Sequence, residues 1–255
     1  MADLKSRADI EKMRTAGRIV RKILDRMGEM CVPGATTGEL EDEASTYFLK
    51  VNGGSPFLGY APGEHKPYPA YTCISVNEEI VHGIPGRRVL KEGDIVSVDC
   101  AVEMDGWIAD SAWTFPVGKI SEKAQKLLQV TEECLYKGIA QARPGNRTGD
   151  MGLAVQRHAE RNGFSVIREL VGHGVGRTMH EDGLQIPNFG WRNKGTVLQC
   201  GMTFAIEPMI SAGRKDIITL ADGWTITTQD RSLAAHFEHT VAITTDGALI
   251  LTNGE

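Results

Sequence analysis

The sequence predicts a mixed α/β fold built from two similar halves that meet at one cleft. Three observations support this prediction. Helix-like and strand-like patterns follow each other twice in the same order, short motifs recur in that order, and four carboxylates stand inside apolar, strand-like segments. The 255 residues are enough to build a substantial core.

Two helices are expected in the first half. Ser6-x-x-Asp9 marks the start of the first, which ends before Pro33, and Thr36-x-x-Glu39 forms a capping box that starts the second. The apolar positions that recur at helical spacing are Ile10, Met13, Gly17, Val20, Leu24 and Met27 in the first helix and Leu40, Ala44, Tyr47 and Val51 in the second. In the second half, Ser121 starts a third helix that breaks at Pro144.

A fourth helix runs from about Gly149 to Asn162, and with it the first half's pattern returns. Three stretches of the two halves align: 33–40 with 144–151, 90–99 with 198–207, and 105–107 with 222–224. Each match alone could reflect shared turn and cap chemistry, but three in one order indicate an internal duplication. We therefore expect a single domain, 1–255, with halves at roughly 1–118 and 119–255. Asp99 and Glu207 then occupy equivalent strand positions that face each other across the cleft.

Five side chains are predicted to bind metal because they are hard ligands inside otherwise apolar segments. They are Asp99, Asp110, His173, Glu207 and Glu238. Burying an unpaired carboxylate costs several kcal/mol, so four of them need a shared cation. An oxygen-rich set with one imidazole suits Mn, Fe, Co or Zn better than Ca or Mg. Four negative charges exceed what one divalent ion neutralises, so two ions are expected.

Asp99 and Asp110 are expected on one β-hairpin. A type I′ turn at 105–106 sets Asp110 opposite Ala101, which lies two residues from Asp99 and therefore on the same face. The two carboxylates are then diagonal neighbours that can converge on shared ions. The alternative is an exposed hairpin with two solvated acids.

Glu207 and Glu238 are each expected on a strand. Pro208 ends or edges the first of these strands, and Glu238 shares a face with His236 in the second. The alternative for each glutamate is a structural ion pair with a buried arginine, but no nearby arginine in the sequence is placed to serve Glu207.

The histidines near glycine or proline indicate a catalytic cluster. His173 and His180 lie in GHGVGRTMH, where three glycines predict a tight loop, and His82 lies in VHGIPG. His65 and His158 are interpreted as ordinary core or surface histidines.

Composition excludes several classes of partner and compartment. The net charge of −5 leaves no basic surplus to attract nucleic acid. The five cysteines include no C-x-x-C pair, which favours buried thiols in a reducing cytoplasm. The N-terminus is charged rather than apolar, and no stretch approaches the roughly 18 apolar residues that a membrane span needs.

Together these motifs resemble those of the type I methionine aminopeptidases, in their short bacterial form, along the whole chain. They are CISVNE (73–78), HGIP (82–85), VD (98–99) with Asp110, GHGVG (172–176), HE (180–181), TFAIEP (203–208) and FEHT (237–240). The resemblance implies a metallopeptidase domain with the pita-bread fold. In that fold two pseudo-symmetric halves, with antiparallel sheets covered by helices, surround a dinuclear metal cleft.

The resemblance also implies how the ligands are shared. Asp110 and Glu238 would bridge two divalent ions (Co, Mn, Fe or Zn), and Asp99 would complete one of them. His173 and Glu207 would complete the other.

Further roles are implied for the substrate. His82 and His180 would contact the scissile peptide, and Glu207 would also shuttle a proton. The residues that would line a pocket for the methionine side chain are Cys73, Tyr60 and Trp224. The implied activity is removal of N-terminal methionine from nascent proteins and peptides with a small second residue, by a metal-bridging hydroxide. The enzyme would be a cytoplasmic monomer with transient contact to the ribosome.

Three departures from the family pattern stand out. The segment from Tyr60 to Tyr71 is longer than usual, Met179 stands where an aromatic residue is common, and His236 replaces a usual glutamine beside Glu238. Two other readings stay open. Prolidases and aminopeptidase P share the fold and metals, but usually carry a large N-terminal domain for which this chain leaves no room. A metal-free binding protein of the same fold would have lost ligands that are all present here.

Overall fold

The structure is a computed structural model, and it describes residues 3–63 and 66–255. The four helices in these ranges are α1 (Arg7–Met30), α2 (Thr37–Val51), α3 (Glu122–Gln141) and α4 (Thr148–Arg161). The fourteen strands there are β1 (Cys73–Val76), β2 (Glu79–Val81), β3 (Ile95–Met104), β4 (Trp107–Pro116), β5 (Ser165–Val166), β6 (Val171–Gly174), β7 (Glu181–Pro187), β8 (Thr203–Ile206), β9 (Met209–Ser211), β10 (Ile217–Thr219), β11 (Ile226–Thr228), β12 (Ala234–His236), β13 (His239–Thr244) and β14 (Gly247–Ile250). His65 lies outside the described residues.

The helix starts are those expected from the capping residues. Ser6 and Thr36 each form a capping box with the residue three positions later, and Ser121 accepts a hydrogen bond from the N–H of Ala124. These bonds satisfy N–H groups that have no partner inside the helix. The buried face of α2 differs from the expected one, because Phe48 is fully buried whereas Tyr47 is only partly buried.

The mixed α/β class with antiparallel sheets is confirmed. Four sheets form among the described residues, with strand orders β1-β3-β4, β10-β11-β2, β12-β9-β5 and β14-β13-β8-β6-β7. All of their strand pairs are antiparallel. One apolar cluster packs α1 and α2 against β1, β3 and β4, and another packs α3 and α4 against the strands of the second half. Each pair of helices therefore covers its own β-structure.

The β3–β4 hairpin has the predicted register. Asp110 pairs with Ala101, and Ala112 pairs with Asp99. Asp105 and Gly106 have φ angles of 52° and 73°, as a type I′ turn requires. The two aspartates consequently lie on one face of the hairpin, and both are buried.

The loops that precede α2 and α4 make matching contacts in the two halves. The Gly34 N–H donates to the Leu90 carbonyl at 2.9 Å, and the Gly145 N–H donates to the Leu198 carbonyl at 3.0 Å. Both glycines have positive φ, 97° and 88°, which a side chain would strain. These contacts support the duplication, which we retain as a proposal.

The prediction that His173 lies in a loop is wrong. His173 is part of β6, which pairs with β7 and, at Gly174, with β8. The glycines have another function here, because a Cβ at Gly172 would overlap the carbonyl oxygen of Ala205 on β8. They allow close packing of strands rather than a turn.

The two glutamates also differ from the prediction, because neither lies within a strand. Glu207 follows β8, whose end before Pro208 was expected, and Glu238 lies between β12 and β13. Proline cannot donate a hydrogen bond to a strand ladder, which explains the first break. The second break lies opposite the first, since Ile206 pairs with His239 and Met209 pairs with His236.

Two further observations bear on the composition. None of the helices in the described ranges is long and apolar enough to cross a membrane. Four of the five cysteines are buried free thiols as expected, but Cys200 is exposed.

Gly17 provides a test of how α1 packs. A Cβ at this position would overlap the carbonyl oxygen of Leu251, which is backbone and cannot rotate away. We expect Gly17→Ala to lower the free energy of unfolding by about 1–3 kcal/mol or more, although alanine favours a helix by roughly 1 kcal/mol. Urea unfolding measures this change. The exposed Thr15→Ala on the same helix is the control, and an unchanged or raised stability of Gly17→Ala would contradict the packing.

Candidate metal centre

The structure brings all five predicted ligands to one site from six strands and the breaks between them. Asp99 lies on β3, Asp110 on β4 and His173 on β6, while Glu207 follows β8 and Glu238 separates β12 from β13. Ligand atoms of Asp110, His173 and Glu238 all lie within 4.8 Å of one another. His173 Nε2 is 3.8 Å from Asp110 Oδ2 and 3.6 Å from Glu207 Oε1.

The carboxylates lack the partners that a buried anion requires. Asp99 Oδ1, Asp110 Oδ1 and Glu238 Oε1 are buried and have no hydrogen-bond partner among the described residues. Burial raises the pKa of Asp99 and of Glu238 well above the usual values, and repulsion from Asp110 raises both further. Burial likewise raises the pKa of Asp110. Bound divalent cations would relieve these costs, so the donor set fits such ions.

His173 has the orientation and charge state of a metal ligand. Its Nδ1 lies 3.2 Å from the carbonyl oxygen of Gly174, which can only accept a hydrogen bond, so Nδ1 carries the proton. Nε2 then presents a lone pair to the carboxylates. Burial and the neighbouring His180 lower the pKa of His173 to about 3, which keeps the ring neutral. Metal-binding histidines are typically oriented in this way, by a hydrogen bond from the ring nitrogen that does not bind the metal.

His236 is also a site residue, although the sequence analysis placed it on the face of Glu238 without assigning it a role. It is 1% exposed, and Nε2 lies 3.7 Å from Glu207 Oε2 and 3.8 Å from Glu238 Oε2. Burial lowers its pKa to about 3. The available signal was its spacing, because residues two apart on an extended chain share a face, here with Glu238.

Two further histidines, His180 and His82, border the same cavity. His180 Nδ1 lies 3.0 Å from the Tyr60 hydroxyl, and its ring centroid lies 4.1 Å from that of His173. His82 directly follows β2 with φ at 59°, and its ring meets Trp224 edge-on at 6.3 Å. A positive φ is uncommon outside glycine and occurs often at functional sites. His158 lies elsewhere, on α4, with Nε2 2.6 Å from Glu133.

A cavity of about 400 Å³ joins the acidic cluster to an apolar wall. The three residues predicted to line it, Cys73, Tyr60 and Trp224, all do so. Tyr68 was missed from the sequence, although it meets Trp224 edge-on at 5.2 Å and its hydroxyl donates to the carbonyl of Gly83 at 2.8 Å. Phe57 and Met179 also line the wall.

Two half-buried carboxylates, Glu41 and Glu181, support the rim of this cavity. Glu41 on α2 accepts hydrogen bonds from the N–H groups of Tyr71 and Thr72, at 2.6 and 3.1 Å, which ties the end of the long Tyr60–Tyr71 segment to a helix. Glu181, next to His180, lies 2.5 Å from Nζ of Lys5, whose side chain is fully buried. Loops at such sites need support of this kind to hold a side chain in place.

Comparison with known proteins identifies the family. The model of metallopeptidase family M24 matches residues 11–245. Methionine aminopeptidase 1 of Bacillus subtilis is 51% identical over 241 residues, 94% of each chain. The methionine aminopeptidase of Escherichia coli K12 is 43% identical over 251 residues, covering 98% of this chain and 93% of the relative.

Solved structures agree in fold. The crystal structure of methionine aminopeptidase from Thermotoga maritima superposes with a TM-score of 0.94 at 46% identity, covering 99% of both chains. Prolidase from Pyrococcus furiosus reaches a TM-score of 0.76 at 23% identity over 99% of this chain and 66% of its own, which shows a shared fold only. The pita-bread fold is thus confirmed, and the chain belongs to metallopeptidase family M24, among its methionine aminopeptidases, as a metal-dependent peptidase.

Proposed function

We propose that this chain hydrolyses the peptide bond after an N-terminal methionine, on chains whose second residue is small. One observation carries the proposal: a single cavity has the cluster of four carboxylates at one side and an apolar wall at the other. The apolar wall suits an unbranched thioether, and the relatives named methionine aminopeptidases support that substrate.

The acidic cluster would hold two divalent ions. The residues that would hold them are Asp99, Asp110, His173, Glu207 and Glu238. Two ions balance four carboxylates, and the nitrogen and oxygen donors suit Mn, Fe, Co or Zn. When bound, such ions supply Lewis acidity, which lowers the pKa of water and polarises a carbonyl group.

The methionine side chain would lie against Tyr68, Trp224 and Cys73. Burial raises the pKa of the Cys73 thiol well above its usual value, so this residue contributes apolar packing rather than a nucleophile. The substrate's α-amino group would then lie at the acidic cluster. This arrangement explains why hydrolysis would be restricted to the first residue of a chain.

His180 would stabilise the oxyanion that develops at the scissile carbonyl. If the Tyr60 hydroxyl donates to Nδ1, the proton of His180 resides on Nε2, where it can be donated to substrate. Burial raises the pKa of Tyr60, which keeps that hydroxyl protonated. His82 would bind the peptide nitrogen, and Glu207 would carry the proton from water to the leaving amine.

Mass spectrometry of Met-Ala-Ser after incubation with Mn²⁺, with and without chelator, tests the reaction. We expect free methionine and Ala-Ser only when metal is present. Intact peptide in the presence of Mn²⁺ would favour the peptide-binding alternative. Cleavage of Gly-Pro in preference to Met-Ala-Ser would instead indicate a prolidase, the family's other specificity.

The cellular setting is part of the proposal. Nascent chains are the expected substrates, and the cytoplasm is the expected compartment. The protein is expected to be a monomer that contacts the ribosome transiently. The absence of cysteine pairs supports a reducing compartment. Gel filtration would test the monomer.

Metal should stabilise the fold because it neutralises buried charge. We expect Mn²⁺ at about 1,000 times its Kd to raise the free energy of unfolding of chelator-treated protein by roughly 4 kcal/mol. Glu238→Gln should lose most of that gain and, without metal, be more stable than the unsubstituted protein, because one buried negative charge is gone. Urea unfolding with and without metal measures both effects. The exposed Glu103→Gln is the control, and a metal-independent stability would contradict the site.

Removal of the His180 side chain should weaken stabilisation of the transition state without weakening metal binding. We expect His180→Ala to lower kcat on Met-Ala-Ser by about 10²–10³, the usual cost of losing one oxyanion donor. Calorimetric titration with Mn²⁺ should give an unchanged Kd. The matched control is His158→Ala, whose imidazole binds Glu133 outside the cavity. Unchanged kcat in His180→Ala would exclude the oxyanion role.

A further inference from the structure

We infer that His236 is a sixth metal ligand, which adds a second imidazole to the centre. This inference rests on the metal centre of the proposed function and goes beyond its five ligands. It assigns His236 a direct bond to a divalent ion through Nε2, together with Glu207 and Glu238.

The environment of His236 lacks any other partner for its ring. The side chain is only 2% exposed, and both ring nitrogens are buried without a hydrogen-bond partner among the described residues. Leaving a buried polar atom unpaired costs about 1–3 kcal/mol, so two such atoms on one ring require an explanation. The nearest oxygens, on Glu207 and Glu238, lie at 3.7 and 3.8 Å, beyond hydrogen-bond distance.

His173 provides an internal comparison for this geometry. Its Nε2 lies 3.8 and 3.6 Å from the carboxylate oxygens of Asp110 and Glu207. The Nε2 of His236 is related in the same way to Glu207 and Glu238. Two ligand atoms each about 2.0–2.2 Å from one ion, at a tetrahedral angle, are separated by roughly 3.3–3.6 Å. Both histidines are therefore close to the separation that ligands of a common ion adopt, and Glu207 has one oxygen towards each ring.

The backbone of His236 is held rigidly enough to define the ring position. Its N–H donates to Thr114 Oγ1 at 3.0 Å, and the Thr114 hydroxyl donates to its carbonyl at 2.8 Å. On the other side His236 pairs with Met209 in the β12–β9 ladder. A ligand supported on both sides of its strand can meet the narrow geometric limits of a metal site.

A second imidazole should change which metals the centre prefers. Imidazole ligands suit Zn, Cu, Fe and Ni, whereas carboxylate ligands suit Mn. Replacement of His236 should therefore weaken binding of Zn²⁺ more than binding of Mn²⁺. The substitution His236→Gln is informative because it removes the imidazole and keeps a polar side chain of similar reach.

X-ray absorption at the zinc edge, on stripped protein reloaded with Zn²⁺, tests this directly. The unsubstituted protein should show two imidazoles for each chain, and His236→Gln and His173→Gln should each show one. Calorimetric titration should give a Kd for Zn²⁺ that is at least about tenfold weaker in His236→Gln, with a smaller change for Mn²⁺. The control His158→Gln should match the unsubstituted protein in both measurements.

The outcomes separate the inference from the proposed function. One imidazole for each chain in the unsubstituted protein, or an unchanged Kd and imidazole count in His236→Gln, would overturn the role of His236 while the five-ligand centre stands. Failure of the unsubstituted protein to bind any divalent metal would overturn both. Circular dichroism would show whether His236→Gln is folded. If it is not, the imidazole count of the unsubstituted protein still tests whether His236 binds metal.

Discussion

The rest of the structure depends on one constraint: four carboxylates lie side by side, three of them buried and Glu207 nearly so. Burial raises the pKa of each, and the negative charge of Asp110 raises the pKa of Asp99, Glu207 and Glu238 further. A buried anion with no partner costs several kcal/mol, and this protein holds its anions together rather than apart. Bound cations would offset the cost of burying these negative charges together, so the stability of the fold is expected to depend on metal binding.

The backbone around the acids is fastened independently of their carboxylates. Thr240 Oγ1 accepts from the Asp110 N–H at 2.9 Å and donates to the Asp110 carbonyl at 2.7 Å. The Ser111 hydroxyl donates to the Glu238 carbonyl at 2.5 Å, and the Glu238 N–H donates to Ala112 at 2.9 Å. These bonds join β4 to β13 and to the break that precedes it. Because peptide groups and hydroxyls satisfy each other, the carboxylate oxygens are left for cations.

The sequence was sufficient where local rules determine the structure. A two-residue turn and a period of two determined the hairpin register, and with it the common face of Asp99 and Asp110. The sequence was insufficient where contacts with segments far away in the chain determine the structure. The glycines around His173 form a pattern that is typical of a loop. In the structure they allow the close approach of β8, which a local sequence pattern does not predict. The burial of His236 and Tyr68 likewise results from packing between segments far apart in sequence.

The position of the site at the junction of the two halves follows from how its ligands are divided. The first half supplies Asp99 and Asp110 on one hairpin, and the second supplies His173, Glu207 and Glu238 from three separate places. The proposed duplication explains why a cleft exists there, since two similar halves packed about an axis leave one between them. It does not explain the chemistry, because Asp99 and Glu207 align but differ in length and in backbone setting. Glu207 reaches from the end of β8 and Asp99 from the middle of β3. On the proposed duplication, the site is therefore asymmetric although the two halves that support it are alike.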